Sequence, residues 1–401
     1  MRRLRVLALA LAAVLLLAGC QRVPAVVSPS QPAAAGSLPP ATLATSEMAL
    51  VTTQSRLDTD FGQEVWNALN RFAGEGGSTS ALYKTEENNT EAALSTLELA
   101  VKGGARLLVT MGTVPSQAAA DVQAQYPQVS FVMLDAPAGA QVEENSVVVN
   151  FSAAQAGWWA GYVAAAEAKG SRQLGVIRSA RRRSQLYTLG FLMGAEAASA
   201  DLNWPQAGLD VYLMATDGLP LREIQAEIAE LYAAGADPVF MAGDEMQQTA
   251  LGVTRSVGGR LIGVDLPMSR WDFAMASIAY SPQSLVQKLL DAYKNNRFPG
   301  GSEVVGSVAD GDITLQVEPA NLKEASDSYL GRAKASFDSG MLALQLDARL
   351  APNAAGVLPA MDTLRLPHLN VRMLGDELDG DEDQSAAESA TASEDAPAAA
   401  P

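Results

Sequence analysis

The chain holds one cysteine and one histidine, Cys20 and His368. A lone cysteine closes no internal disulfide. The same scarcity removes Cys/His metal sites and leaves no Ser-His-Asp or Cys-His arrangement for the body of the chain, because His368 sits in LRLPHLN near the C-terminus. No G-x-x-x-x-G-K-[ST] stretch occurs, and no G-x-G-x-x-G follows a strand. Lys and Arg number 28 against 45 Asp and Glu, a formal net charge of −17. That balance argues against nucleic acid and against a basic grip on a membrane surface. After the first twenty residues no apolar run is long enough to span a bilayer.

What is present begins at the N-terminus. MRRLRVLALALAAVLLLAG has a positive start, an apolar run and a small-residue end, the pattern of a bacterial signal peptide. Leu17-Ala18-Gly19-Cys20 resembles the lipobox of bacterial lipoproteins. The resemblance implies a signal peptide over residues 1–20 and a lipid on Cys20. The chain is then an extracytoplasmic protein anchored to the cell membrane. The alternative is an ordinary secretory signal that ends near a cysteine.

Residues 21–46 are rich in Pro, Ala and Ser and read as a disordered linker. Residues 375–401 form an acidic, low-complexity tail that lacks the apolar surface to fold. Between them short apolar runs alternate with helical patterns: EMALVT, then DFGQEVWNALNRFAGEG; ARLLVT, then SQAAADVQAQY; SRQLGVI, then a helix from Gln185 to about Ala200. Such alternation implies an α/β fold with parallel sheets. The length between linker and tail suits two lobes better than one.

A weak internal repeat supports two lobes. LAVKGGARLLVTMG (99–112) resembles LYAAGADPVFMAG (231–243). Each is followed by a helix and by a strand ending in aspartate, FVMLD at Asp135 and LIGVD at Asp265. In related lobes these aspartates fall at the carboxyl ends of matching strands, where open α/β sheets bind ligands. The alternative is that any two βαβ units look alike at this level.

Six stretches in order are similar to the basic membrane protein family of bacterial lipoproteins, the purine nucleoside receptor A-like proteins. They are LDTDFGQEVWNAL, FVMLD, QAGWWAGYVAA, YTLGFLMGA, IGVD and VVGSVADGDITL. The resemblance covers about residues 47–343. It implies two Rossmann-like lobes of parallel sheet flanked by helices and joined by crossing hinge segments, the type I periplasmic binding protein fold. Lobe 1 is expected over about 47–152 plus a segment after 265, and lobe 2 over about 153–264 plus a later return. The family departs from this chain at Leu57, Gly62, Arg178-Ser179, Asp244-Glu245-Met246 and Tyr280. Fold and class carry over those departures; the ligand's identity does not.

The implied activity is solute capture without catalysis, with an ABC permease as partner and a nucleoside as solute. No cofactor or metal is expected. A nucleoside asks for aromatic faces and for acceptors of its hydroxyl and amino groups. Asp58, Phe61, Asp135, Tyr187, Asp244 and Asp265 are the candidates, with Trp271 a weaker one. Bland roles stand beside these: Asp58 or Asp60 as a helix cap, Phe61 as core, Asp135 and Asp265 as turn residues. Tyr187 is expected at a loop-to-helix entry. RSARRRS (178–184) could pair with an anionic group of the solute or form a solvated rim. A ligand-sensing lipoprotein without a transporter, binding a different small molecule, an anionic one among the options, is the alternative function; an enzyme with paired carboxylates is a third. Residues 344–374 form an extension outside the resemblance. The alternation of Leu342, Leu344 and Leu346 with Ala343 and Gln345 fits a short strand packed on the body or on a partner.

Overall fold

The computed structural model describes residues 47–137, 139–243, 246–324 and 327–374. The linker, the acidic tail and Cys20 lie outside the described residues. The first half runs β1 (Met48–Thr52), α1 (Gln54–Leu57), α2 (Asp60–Glu75), β2 (Ser80–Lys84), α3 (Thr90–Lys102), β3 (Leu107–Met111), α4 (Thr113–Val122), β4 (Ser130–Leu134) and β5 (Ser146–Phe151). The second runs α5 (Ala153–Glu167), β6 (Gln173–Arg178), α6 (Arg182–Asp201), β7 (Leu209–Ala215), α7 (Leu221–Ala233), β8 (Val239–Met241), α8 (Gln247–Val257), β9 (Leu261–Val264) and β10 (Ala274–Tyr280). The chain then passes through α9 (Pro282–Lys294), β11 (Ser302–Gly306), β12 (Ile313–Val317), α10 (Asp327–Ala335), α11 (Met341–Arg349) and β13 (Leu369–Met373).

These strands form two sheets with one plan. The first has the order β11-β5-β4-β3-β1-β2 and the second β12-β10-β9-β8-β6-β7-β13. Position for position β3 matches β8, β4 matches β9, and β5 matches β10. β12 is antiparallel to β10, while β11 runs parallel to β5. The inner strands of the first sheet read as continuous apolar runs because helices cover both faces; all five residues of β3 are buried. The fold is therefore two α/β lobes with parallel sheets flanked by helices. No described helix is long and apolar enough to cross a membrane.

Three segments cross between lobes. β5 leaves the first sheet and enters α5 of the second lobe. β10 leaves the second sheet and leads through α9 to β11 in the first. β11 then returns to β12. The crossings are tied to one another: the Ser152 amide donates to the Gly306 carbonyl (3.1 Å), the Ser281 amide to the Asp312 carbonyl (2.9 Å), and the Val308 amide to the Gln155 side chain (3.1 Å).

Helix α5 is buried along all of its fifteen residues. Its partner is α6, and the two meet backbone against backbone. A Cβ at Gly157 would overlap the Tyr187 carbonyl, and one at Gly161 the Phe191 carbonyl. From the other helix, a Cβ at Gly190 would overlap the Ala154 carbonyl and one at Gly194 that of Trp158. Two pairs of glycines four residues apart thus remove the side chains that would hold the axes apart.

The stretch from Leu342 to Leu346 is helical, not extended: it belongs to α11. Leu, Ala, Gln and Arg are strong helix formers, and an alternation of only three leucines is too short to override them. Leu346 is buried while Leu344 is 64% exposed. The extension packs on the body. Leu346, Leu350, Leu364 and Leu369 join the same buried cluster as α5 and α6, and β13 pairs parallel to the outer edge of β7. The His368 ring stands 2.6 Å from Glu196 on α6.

Gly161→Val is expected to destabilise the protein by roughly 2–4 kcal/mol, since the atom it meets is backbone that has no room to yield. Gly74→Ala, where nothing lies within 4 Å, should instead be neutral or stabilising by up to about 1 kcal/mol. Urea unfolding of both variants measures the contrast.

Candidate functional site

The carboxyl ends of both sheets face the junction of the lobes, and the chain places one aspartate at matching points of each. Asp135 follows β4 with φ 61°, and Asp265 follows β9 with φ 51°. Both occupy the left-handed region, which aspartate tolerates better than most residues. Each donates its amide to the next strand, Asp135 to Val149 (3.3 Å) and Asp265 to Ile278 (2.7 Å). The glycines that precede the two units, Gly112 and Gly243, also have positive φ, 104° and 145°. The repeat seen in the sequence is a repeat of backbone conformation.

Around these aspartates four aromatic rings and two arginines converge. Phe61 is buried by the first turn of α2, whose cap is Thr59: its hydroxyl accepts from the Gly62 amide at 3.0 Å. Neither Asp58 nor Asp60 is the capping residue. Phe61 meets Phe151 edge to face (5.7 Å), and Phe151 lies 4.9 Å from Tyr280. The hydroxyls of Tyr187 and Tyr280 are hydrogen-bonded to each other. The Arg56 guanidinium lies 4.4 Å over the Phe61 ring and donates to Asp135 at 2.5 Å. Arg183, from the other lobe, donates to the second oxygen of Asp135 at 3.1 Å and lies 5.2 Å from the Tyr280 ring. Asp135 is therefore held by one cation from each lobe.

The matched aspartates differ in charge. Burial alone would raise the Asp135 carboxyl, but Arg56 and Arg183 outweigh it and hold the group below its ordinary value. Burial pushes Asp265 up to about 6; the same arginines pull against it without prevailing, and Asp135 adds to the rise. Asp265 accepts from the Tyr280 amide at 3.4 Å. Burial also raises the Tyr187 and Tyr280 phenols, so both stay protonated donors.

Of the sequence candidates, Phe61, Asp135, Tyr187 and Asp265 come together here. Asp58 does not: it is exposed at the end of α1, where the Gln54 amide donates to it at 2.7 Å. Tyr187 is not at a loop-to-helix entry. Helix α6 begins three residues before Gln185, at Arg182, so Tyr187 sits inside it and is buried. Trp271 packs edge to face on Phe273 at the outer core of lobe 2, away from the cluster. Asp244 lies outside the described residues. Arg56 and Phe151 were not singled out by sequence. Arg56 stands two residues before Asp58 in SRLDTD with no pattern of its own, and only its partner 79 positions later gives it a role.

A second charged cluster occupies the opposite end of lobe 2. Arg260 donates to Glu167 (2.5 Å) and Asp237 (3.0 Å), and Glu167 also accepts from the Lys323 and Glu324 amides. It lies at the amino end of β9, away from where such sheets bind ligands, and holds α5 to the sheet. Among the described residues no group of acids and histidine is placed to hold a metal.

A family model described as ABC transporter substrate-binding protein PnrA-like (Bmp) matches residues 45–336. The chain belongs to this family. Its members bind solutes outside the cytoplasm and catalyse nothing, so this Bmp protein is a binding protein rather than an enzyme. Solved structures share the fold. An ABC transporter solute-binding protein from Conexibacter woesei is 17% identical with a TM-score of 0.59, covering 74% of this chain and 96% of its own. A transcriptional activator of the comK gene from Bacillus halodurans is 16% identical with a TM-score of 0.57, covering 74% and 97%. A solute-binding protein of an ABC transporter system from Aeropyrum pernix is 15% identical with a TM-score of 0.54, covering 75% and 90%.

The charge of Asp265 predicts a pH signature. A carboxyl whose folded pKa of about 6 exceeds its unfolded value of about 3.9 contributes stability that is full below the unfolded value and is lost as pH rises through the folded one. Asp265→Asn keeps the shape and removes the titration. Relative to the parent, it should be more stable at pH 7.5 than at pH 4 by roughly 1–3 kcal/mol. Urea unfolding at both pH values tests this, and a variant-to-parent difference that ignores pH would overturn it.

Proposed function

We propose that this Bmp protein is a membrane-tethered solute-binding lipoprotein that takes a nucleoside-like molecule between its lobes and presents it to an ABC-type permease. The observation that carries the reading is the convergence of Asp135 and Asp265 with Phe61, Tyr187 and Tyr280 where the three crossings meet. A flat base would compete with the Arg56 guanidinium for the face of Phe61. The carboxylates would accept from ribose hydroxyls or from the base's amino group. A carboxylate already desolvated by the fold has lost its water and gains most from a ligand donor, so solutes without matching donors are rejected.

Closure follows from the placement of the groups. Arg183 belongs to lobe 2 and Asp135 to lobe 1, and their ion pair spans the cleft. A solute that bridges the same lobes by hydrogen bonds favours the closed state by its differential contacts with that state. The tied crossings confine the motion to a hinge.

A lipid-free form, Cys20→Ser, would be screened by thermal shift against purine and pyrimidine nucleosides, free bases, pentoses and amino acids. A nucleoside at about 100 times its dissociation constant adds about 2.7 kcal/mol, a rise in Tm of about 2 °C or more. The rise should vanish in Asp265→Ala. No nucleoside response, or one that survives Asp265→Ala, would remove the nucleoside from the function. In cells, the same Cys20→Ser change should move the protein from the membrane fraction to the soluble fraction.

A further inference from the structure

Beside Asp135 the cleft opens into a cavity of about 690 Å³, within the range that holds small ligands. Its walls come from three places. Lobe 1 supplies Asn150 of β5 with Glu303 and Val305 of β11. Lobe 2 supplies Arg181, Arg182 and Arg183 at the start of α6. The third wall is Asp347, Leu350 and Pro352 of the extension. That last wall lies beyond residue 336, where the family match ends.

The extension is fixed in place as a wall. Leu346 and Leu350 are buried, Arg182 donates to the Gly356 carbonyl at 3.0 Å, and β13 is paired in the sheet. Arg181, Arg183, Glu303 and Asp347 are exposed at the cavity's margin, which leaves an entrance for solute.

Charge is sorted across the cavity. Three consecutive guanidinium groups stand on one wall. The acids belong to the other walls: Glu303 accepts from Asn150 at 2.7 Å, Asp135 is paired with Arg56 and Arg183, and Asp347 belongs to the extension. Guanidinium forks match the oxygen geometry of a phosphate, and the partly enclosed site strengthens that attraction over its value in water.

The geometry points to a second compartment of the solute site, in which Arg181 and Arg182, with Arg183 at the junction to the cleft, take the phosphate of a nucleotide whose nucleoside part lies in the cleft. The inference rests on the nucleoside-like reading of the cleft and adds the phosphate to it. Asp347 and Glu303, on the facing walls, set the limit on how much negative charge the compartment admits.

Calorimetric titration of the Cys20→Ser protein with adenosine, guanosine, cytidine and uridine, and with their 5′-monophosphates, tests the inference. At least one monophosphate should bind tenfold or more tightly than its nucleoside. Arg181→Ala/Arg182→Ala should abolish that advantage and leave the nucleoside's Kd within about twofold. Arg181→Lys/Arg182→Lys, which keeps the charge, should restore part of it. A nucleoside that binds while its monophosphate binds no tighter, or an advantage that survives the double alanine variant, overturns the second compartment and leaves the cleft reading standing. Failure of every nucleoside and monophosphate to bind overturns both.

Discussion

The direct contact between the backbones of α5 and α6 sets the position of everything at the lobe junction. Helix α5 follows directly on β5, so it carries the chain from the first sheet into lobe 2. Helix α6 begins with Arg182 and bears Arg183 and Tyr187 in its first turns. Gly157 rests against the carbonyl of Tyr187 itself. The close approach therefore fixes the ring that meets Tyr280 and the guanidinium that reaches Asp135. A side chain at any of the four glycines would separate the axes, and the cleft would lose its geometry before it lost its residues.

On that scaffold the site spends stability on charge. Two carboxylates and two guanidinium groups are drawn into one partly dry region, where an unpaired ion is costly and a well-paired one roughly breaks even. The cations do not divide evenly. Both bind Asp135, whereas Asp265 accepts from the Tyr280 amide and feels the same arginines at longer range. The backbone repeat gives the two aspartates the same conformation, while their surroundings give them opposite shifts. Asp135 is held as an anion by a cation from each lobe, while burial raises the carboxyl of Asp265. Divergence of two like groups by environment is the usual way a protein assigns them different tasks.

The features legible in the sequence were those that repeat locally. Buried parallel strands announce themselves as apolar runs, and the glycine-strand-aspartate order of the two units exposed the matched aspartates without knowledge of either sheet. The features that escaped depend on contacts between distant positions. Arg56 has no neighbour that marks it, and its role comes from Asp135. Asp58 looked like a site residue because it precedes Phe61, yet the short helix α1 turns its side chain to Gln54 and the surface. Leu342 to Leu346 misled for the opposite reason, because three alternating residues are too few to distinguish a strand from a helix whose stripe is incomplete. The capping role, open between Asp58 and Asp60, went to the threonine between them, whose hydroxyl alone reaches the Gly62 amide.

The extension shows where the boundary of the working unit lies in physical terms. The family match ends at residue 336, but the buried core does not: Phe337, Leu346, Leu350, Leu364 and Leu369 continue it without a gap. The edge strand β7 would otherwise present unpaired backbone groups, and β13 covers them. On lobe 1 Asn150 of β5 and Val305 of β11 line a space that the extension borders through Asp347, Leu350 and Pro352 without filling it. A segment that buries its leucines on lobe 2 while standing across from lobe 1 would follow lobe 2 in any movement of the lobes. The space between it and lobe 1 would then change with the cleft, so on the proposed closure a molecule held there would be coupled to the cleft through one movement.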